Sequence, residues 1–155
     1  MLALAAQWPD QQWQAKTVGR GPREGVVLAQ VRGVGGEEAG RHLEGLVAMY
    51  REGMCRPLPL PPKSAWAYAD KRRTGAPVRV ALANAGRQWR SGSGQNERGE
   101  FTDADFQQVW GEVSLSGLLL ERPDPADTDW PEETSRFGQL ARRVWDPLLA
   151  AEEVH

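Results

Sequence analysis

The sequence predicts an α+β domain that is mainly helical, with a short sheet and several packed helices. Two N-terminal stretches have the apolar pattern of strands, whereas several later segments place apolar residues at helical spacing. A chain of 155 residues and 17.2 kDa is long enough for one domain, or a piece of one, with a single core. Disulfides are not needed for this, because Cys55 has no second cysteine to pair with.

Residues 1–36 are predicted to contain a β-hairpin. Residues 12–18 and 25–32 flank the turn-rich stretch GRGPREG, and apolar residues occupy both faces of the second strand. A two-stranded fragment alone would leave such a strand exposed. We therefore expect the strand at 25–32 to be covered on both sides and to have a further neighbour in the sheet.

Three helices are predicted over residues 37–92. The first should end at Gly53 as a left-handed cap with Met54 folded back over it, the second should begin near Pro62, and the third near Pro77. Their apolar stripes are expected to be buried. The stripe positions are Ala39, Leu43, Leu46, Val47, Tyr50 and Met54 in the first helix, and Val78, Ala81, Leu82, Ala85 and Trp89 in the third.

A proline-rich strap, PLPLPP at residues 57–62, separates the first two helices. Proline fixes φ and removes a backbone donor, so the segment is neither helix interior nor central strand. We expect an extended segment that is ordered before any encounter and therefore loses little entropy when a partner docks. The candidate partner-contact residues are Leu58, Leu60, Lys63 and Trp66.

Residues 93–135 are predicted to be loop-rich. The stretch at 91–99 has no apolar residue, Thr102 and Asp105 have the spacing of a capping box, and residues 113–120 fit either a strand or a helix. Residues 136–155 are predicted to form a C-terminal helix, with a kink or a new start at Asp146-Pro147.

The net charge of −2 is unevenly distributed. Residues 63–98 hold eight basic and two acidic side chains, a balance of +6, so the remainder of the chain sums to −8. Such a basic region suits DNA or an acidic protein, and the simpler alternative is that these are arginines on two solvated helices. The candidate DNA-binding residues are Lys71, Arg72, Arg73, Arg79, Arg87 and Arg90.

The residues by themselves reveal no catalytic or metal site. Two histidines and one cysteine lack the spacing of a zinc site, and the glycine-rich stretches lack the spacing that binds phosphate. His42 is expected at the surface near Glu38. The tryptophans that lie within apolar stripes are expected in the core: Trp66, Trp89, Trp110 and Trp145.

No apolar run is long enough to span a membrane, and the N-terminus lacks the features of a signal peptide. Together with the single cysteine, this predicts a cytoplasmic protein without a membrane partner.

Residues 42–69, HLEGLVAMYREGMCRPLPLPPKSAWAYA, resemble the C-terminal part of RecC, the gamma chain of the RecBCD helicase-nuclease, exodeoxyribonuclease V. Two later stretches, ALANAGRQWRSG and FGQLARRVWDPLL, are similar to further segments of that family. The resemblance covers residues 37–92 and, less fully, 136–149. The positions that match are Leu43, Leu46, Tyr50, Gly53, Pro57, Leu58, Pro59, Lys63 and Ala65.

The resemblance implies a fragment of a restriction-endonuclease-like, PD-(D/E)xK, fold that has lost its catalytic residues. Such nucleases hold Mg²⁺ with a carboxylate on one strand and an acid-x-Lys triplet on the next. Here Gln30-Val31-Arg32 stands where the triplet is expected, and the strand WQAKTVG offers no acid. The resemblance therefore implies no cofactor in this domain, with Mg²⁺ and ATP acting only in the parent complex.

The function implied is that of a non-catalytic scaffold and DNA-handling domain for double-strand-break repair and homologous recombination, with RecB, RecD and DNA as partners. Two alternatives stay open. One is a residual Mg²⁺-dependent nuclease that uses Glu24, Glu37 or Asp103. The other is an unrelated helical interaction module, for which the strand at 25–32 should have no sheet neighbour.

Overall fold

A computed structural model describes residues 1–20, 25–91, 99–125 and 129–154, and it confirms the mainly helical α+β class. Contacts divide the chain into a first unit, Met1–Arg56 with Pro147–His155, and a second unit, Pro57–Asp146. In chain order the elements are α1 (Leu2–Gln7), β1 (Gln14–Arg20), β2 (Val26–Arg32), α2 (Gly36–Cys55), α3 (Pro62–Arg73), α4 (Val78–Ser91), a 3-10 turn (Glu100–Thr102), α5 (Ala104–Trp110), α6 (Leu115–Leu118), α7 (Arg136–Ala151) and β3 (Glu152–Val154).

The first unit holds an antiparallel sheet in the order β1-β2-β3. Strands β1 and β2 pair from Gln14 opposite Arg32 to Arg20 opposite Val26, which confirms the predicted hairpin. The tip of its turn, residues 21–24, lies outside the described residues. Strand β3 pairs with β2, with Ala29 opposite Val154, and this confirms the expected sheet neighbour.

The two-sided cover expected for β2 is not found. Its five central residues are only half-buried, and all seven residues of β1 are exposed. The reason is that the helices of this unit pack mainly on each other, where Ala5 of α1 meets the buried side of α2. At their junction a Cβ on Gly36 would lie 2.5 Å from the Cβ of Pro9, so only glycine fits.

The predicted left-handed cap at Gly53 is wrong. Helix α2 continues through Gly53 to Cys55, and Met54 is exposed instead of folded back. Arg56 ends the helix in an extended conformation, with φ −152° and ψ 146°. The residue before a proline avoids the helical region, so Pro57 stops α2 without a left-handed residue.

The second unit is built around the pairing of α3 with α4. Both helices begin where the prolines predict, since Pro62 opens α3 and Pro77 directly precedes α4. Tyr68 packs edge-on against Phe137 at 5.3 Å between ring centroids. The buried core consists of Ala65, Tyr68, Ala81, Ala85, Trp89, Leu115, Leu118, Phe137 and Ala141.

Trp66 is the exception to the predicted burial of tryptophans. Trp89 is buried, and Trp110 and Trp145 are partly buried against the core of the second unit, but Trp66 is 41% exposed. It lies on the opposite side of α3 from Ala65 and Tyr68, so the helix buries its small residues and turns this ring outward.

Three further local predictions need correction. The N-cap of α5 is Asp103, whose Oδ1 accepts from the backbone of Asp105 and Phe106, whereas Thr102 lies in the preceding 3-10 turn. Helix α7 continues through Pro147, so the new start predicted there is wrong, while the alternative prediction, a kink, stays a prediction. The C-terminal helix also stops before the predicted end, and Glu152–Val154 form β3, since they find open backbone groups along β2.

The two remaining loop predictions divide differently. Of residues 113–120, four form the single helical turn α6, which Ser114 caps. Most of the loop predicted at 91–99, residues 92–98, lies outside the described residues.

Candidate interaction surfaces

The proline strap is packed into the second unit. Pro59 and Pro61 are fully buried, and Leu60 lies against the core. Leu58 is half-buried, whereas Lys63 and Trp66 face outward. The strap is thus fixed in place by its own unit, and only two of the four predicted contact residues are largely available to a partner.

Glu100 occupies the start of α3. Its carboxylate accepts hydrogen bonds from the backbone N–H groups of Lys63 and Ser64, each at 2.8 Å. These N–H groups have no partner within the helix and carry its positive end. An acid from this chain therefore already fills the anion site that the helix offers.

A buried ion network organises the opposite end of α3. The Glu133 side chain is 1% exposed and accepts from the Tyr68 hydroxyl, from Arg72 Nε at 2.6 Å and from Arg142 at 3.3 Å. Burial, together with the hydrogen bond to Glu133, raises the pKa of Tyr68 above its ordinary value. Arg72 also donates to the carbonyl of Ala76 at 2.6 Å.

Arg72 is therefore set apart from the other predicted DNA-binding cations. Its side chain is 10% exposed and serves the network around Glu133. A guanidinium held in this way is not free to neutralise a phosphate without breaking buried bonds.

Arg142 extends the network along α7. Its guanidinium contacts Asp146 at 2.9 Å and Glu132 at 2.5 Å, and it lies 4.8 Å from the ring centre of Trp130. Burial raises the pKa of Asp146, while Arg142 opposes the rise. The second Asp146 oxygen is buried without a hydrogen-bond partner in the structure.

The remaining predicted cations lie at the surface, and three of them share one face of α4. Arg79, Arg87 and Arg90 are all exposed. Arg87 and Arg90 follow Arg79 by eight and eleven positions, so they lie about 12 and 16 Å from it along the helix axis. Arg90 folds back over Gly86, which has no side chain to obstruct it. On α3, Arg73 is exposed and Lys71 pairs with Asp70 at 2.9 Å.

The hairpin carries a polar cleft of about 520 Å³ at the position of the expected nuclease triplet. Gln30 and Arg32 line it with Trp13 and Gln14, and Gln30 Nε2 donates to Gln14 Oε1 at 2.9 Å. Arg32 pairs with Glu153 of β3. Gln14 and Gln30 therefore line this cleft with neutral amides, which lack the negative charge of the carboxylates that Mg²⁺ prefers.

The carboxylates considered for a residual nuclease have separate settings. Asp103 caps α5, Glu37 lies in the first turn of α2, and Glu24 lies outside the described residues. Within the described part of the chain, no three His, Cys, Asp or Glu side chains are grouped to hold a metal ion. His42 is half-buried, with Nε2 3.5 Å from Glu38 Oε1, as expected of a histidine near the surface.

Helix α2 exposes most of the apolar stripe that the sequence predicts to be core. Leu46, Val47, Tyr50 and Met54 are 41%, 45%, 67% and 70% exposed. The six-residue α1 packs on α2, and the buried residues of α2 are Ala39 and Met49. We name the four exposed side chains, those of Leu46, Val47, Tyr50 and Met54, the α2 apolar face.

Comparison with known proteins shows which family the chain is related to. Residues 1–73 match the family model described as the RecC C-terminal domain. The chain is also similar to the RecBCD enzyme subunit RecC of Mycolicibacterium smegmatis, with 37% identity over 153 residues, 98% of this chain. The chain belongs to the RecC C-terminal domain family. The RecBCD enzyme subunit RecC of Mycobacterium tuberculosis, from two strains, is 32% identical over 152 residues.

This chain spans 13% of the length of these RecC relatives. No solved structure matches it. In the described part of the chain, none of the helices has both the length and the apolar composition needed to cross a bilayer.

Neither the sequence patterns nor the resemblance to RecC indicated that Glu100 and Glu133 are buried. Glu100 lies 36 and 37 residues from its partners, and Glu133 lies 61 residues from Arg72. The acidic, proline-broken connector that contains Glu133 has the composition of a surface loop. No local signal marks it as buried, because its partners are supplied by other helices.

Proposed function

We propose that this chain is a non-catalytic scaffold and DNA-handling domain of a cytoplasmic RecBCD enzyme, in contact with RecB, RecD and DNA. The names of its RecC relatives, each a subunit of the RecBCD enzyme, support membership of such a complex. The α2 apolar face carries the proposal, because it offers a surface for another protein.

The α2 apolar face has the composition of an interface core. Soluble proteins rarely expose contiguous apolar patches unless these bind something, and amphipathic helices commonly dock into grooves through positions three and four apart. Leu46, Tyr50 and Met54 follow this spacing, and Val47 lies beside them. Tyrosine is also among the residues that contribute most to binding energy.

A pair of charge substitutions tests the contact role. Leu46→Glu with Tyr50→Glu should weaken assembly of a full-length RecC carrying this segment with RecB and RecD by about 30-fold, as the loss of about 2 kcal/mol implies. Binding is measured by analytical ultracentrifugation. Val109→Glu with Leu120→Glu is the matched control, because both residues are exposed apolar positions elsewhere. Equal binding by the two variants would remove the contact role.

The DNA-handling part of the proposal uses Arg79, Arg87 and Arg90 of α4, together with Arg73 and Lys71 of α3. Helix α4 contains no acidic residue, so nothing within it neutralises its arginine face. Exposed arginines on one helix face fit the backbone of a nucleic acid, which supplies most of the affinity through phosphate contacts. We leave Arg72 out of this surface because Glu133 holds it.

We further propose that the hairpin descends from a PD-(D/E)xK nuclease sheet whose acids have been replaced. The Gln14–Gln30 amide pair supports the loss of a metal site at this position, since neutral amides cannot provide the anionic charge that Mg²⁺ requires. On this proposal Mg²⁺ and ATP act elsewhere in the parent complex.

A residual nuclease is the enzymatic alternative, and a direct assay separates the two. We expect no cleavage of labelled DNA by the purified chain with Mg²⁺ or Mn²⁺. Turnover that Asp103→Asn or Glu37→Gln abolishes would overturn the non-catalytic proposal. The alternative of an unrelated helical module loses support, because it requires β2 to have no neighbour beyond the hairpin, and β3 pairs with it.

A further inference from the structure

Helix α3 turns its largest residue away from the core of its own unit. Trp66 is 41% exposed, whereas Ala65, Ala67 and Ala69 beside it are buried. The helix therefore packs on its unit through small side chains and leaves an indole ring at the surface. A single exposed apolar residue needs no explanation by itself, so the neighbours of the ring decide what it can bind.

The neighbours of Trp66 on this side of α3 are charged. Lys63 and Arg73 lie three positions before and seven positions after Trp66, spacings that place all three on one side of the helix, and all three are exposed. Along the helix axis they lie about 4.5 and 10.5 Å from it, in opposite directions. Asp70 is the sole acid in the sequence of α3, and Lys71 pairs with it at 2.9 Å.

A ring between two cations suits a nucleic acid better than a protein. The core of a protein interface is depleted of charge, and of lysine in particular, so a tryptophan that anchors a protein commonly has apolar neighbours. The α2 apolar face has that composition, but the outer side of α3 does not. Sites for single-stranded nucleic acids instead combine aromatic rings, on which bases stack, with cations that follow the backbone.

The ring also selects the form of DNA. Inside a duplex the neighbouring base pairs cover both faces of each base, so a surface tryptophan cannot stack there unless a base is extruded. An unpaired base offers an open face to the ring. The phosphates on either side of that base carry the negative charge that Lys63 and Arg73 complement.

We infer that Trp66 binds an unpaired DNA base by stacking, with Lys63 and Arg73 contacting the phosphates that flank the base. The inference rests on the proposed DNA-handling function and adds the class of DNA, a single strand. It also adds a contact with bases, whereas the arginines of α4 are proposed to contact phosphates.

Two oligomers of equal charge test the inference. One is a thymidine oligomer, and the other is a sugar-phosphate chain of the same length without bases. Each is bound to a full-length RecC that carries this segment, and fluorescence anisotropy measures the affinity. We expect Trp66→Leu to bind the thymidine oligomer roughly 5- to 150-fold more weakly than the unmodified protein does, as the loss of one stacked base implies. The two proteins should bind the base-free chain alike.

Trp8→Leu is the matched control, because Trp8 is 43% exposed and lies in the first unit. A second readout needs no substitution. With 5-iodouracil in the oligomer, irradiation of the unmodified protein should link the DNA to Trp66, and mass spectrometry locates the link. Links confined to other residues would overturn the inference.

The remaining outcomes separate the inference from the proposed function. Equal affinity of the unmodified protein for both oligomers, or equal losses in Trp8→Leu and Trp66→Leu, would overturn the base contact and leave the phosphate contacts of α4 standing. If the protein binds neither oligomer, the proposed DNA contact fails as well. Normal DNA binding by Trp66→Leu with weakened assembly with RecB and RecD would make Trp66 a protein contact instead.

Discussion

Glu133 makes more buried polar contacts than its place in an acidic connector suggests. Glu133→Gln removes the charge that Arg72 and Arg142 share, and both arginines are largely buried. Breaking a buried ion pair on one side costs several kcal/mol, so we expect the free energy of unfolding to fall by about 3 kcal/mol. Urea unfolding followed by tryptophan fluorescence measures the change.

Glu132→Gln is the matched control for this substitution. Glu132 contacts the same two arginines but is half exposed, so its loss should cost less than about 1 kcal/mol. Equal losses in the free energy of unfolding for the two variants would contradict the claim that burial makes the ion pairs of Glu133 more stabilising than those of Glu132.

Asp146 gives the second prediction at this scale, a pH dependence. Burial raises its pKa in the folded protein, so folding favours the protonated form. The stability that this group contributes is full below its unfolded pKa of about 3.9 and is lost as the pH rises through the folded value. We expect the stability of the unmodified protein relative to Asp146→Asn to fall as the pH rises from 4 to 7. Urea midpoints of the two proteins at several pH values measure this, and a constant difference would contradict it.

At the scale of elements, two glycines should respond to alanine with opposite signs. Gly45 lies within α2 with open space where a Cβ would be, so Gly45→Ala should stabilise by about 0.5 to 1 kcal/mol. Gly111 ends α5 with φ 63° and ψ −147°, a conformation that side chains rarely adopt. Gly111→Ala should therefore destabilise by about 1 to 3 kcal/mol.

Thermal unfolding followed by circular dichroism compares the two glycine variants under one condition. A loss of stability in Gly45→Ala would indicate that the α2 surface beside it is occupied. Unchanged stability in Gly111→Ala would mean that the end of α5 has another conformation.

The strap contributes to packing as well as offering residues to a partner. Pro57 stops α2 at Arg56, Pro62 begins α3, and Pro59 and Pro61 between them are buried. An extended segment with few free backbone donors suits this, because buried N–H groups would otherwise need partners.

At the scale of the whole molecule, the basic surface on α4 predicts a salt-dependent affinity. The affinity for single-stranded DNA should fall as the salt concentration rises. In a plot of log affinity against log salt concentration, each phosphate contact contributes about 0.7 to the slope. Replacing Arg79, Arg87 and Arg90 by Gln should reduce that slope by about 2, because three contacts are lost. Fluorescence anisotropy over a salt series measures the slope.

The control for this experiment carries Arg41→Gln and Arg51→Gln, which remove exposed positive charge from α2 instead. Its slope should stay close to that of the unmodified chain. If the two variants behave alike, net charge and not the α4 face governs binding.

Local chemistry was sufficient to predict much of the fold. The hairpin, the helix starts at Pro62 and next to Pro77, and the apolar stripe of α4 all follow from backbone restriction and side-chain spacing, which act within a few residues. The sequence likewise supplied the likeness to RecC that the comparisons confirm. Helix ends were harder to predict. The predicted cap was Gly53, but α2 runs on to Cys55 and Pro57 stops it.

Only the tertiary structure decided which apolar faces are covered and which charges are paired. Periodicity indicates that α2 has an apolar face, but burial depends on what the rest of the molecule places against it, and here Tyr50 and Met54 remain exposed. In the same way, Arg72 and Arg73 are adjacent in sequence, yet Glu133 holds the first while the second stays at the surface. Such pairings arise between residues far apart in the chain, so no local pattern encodes them.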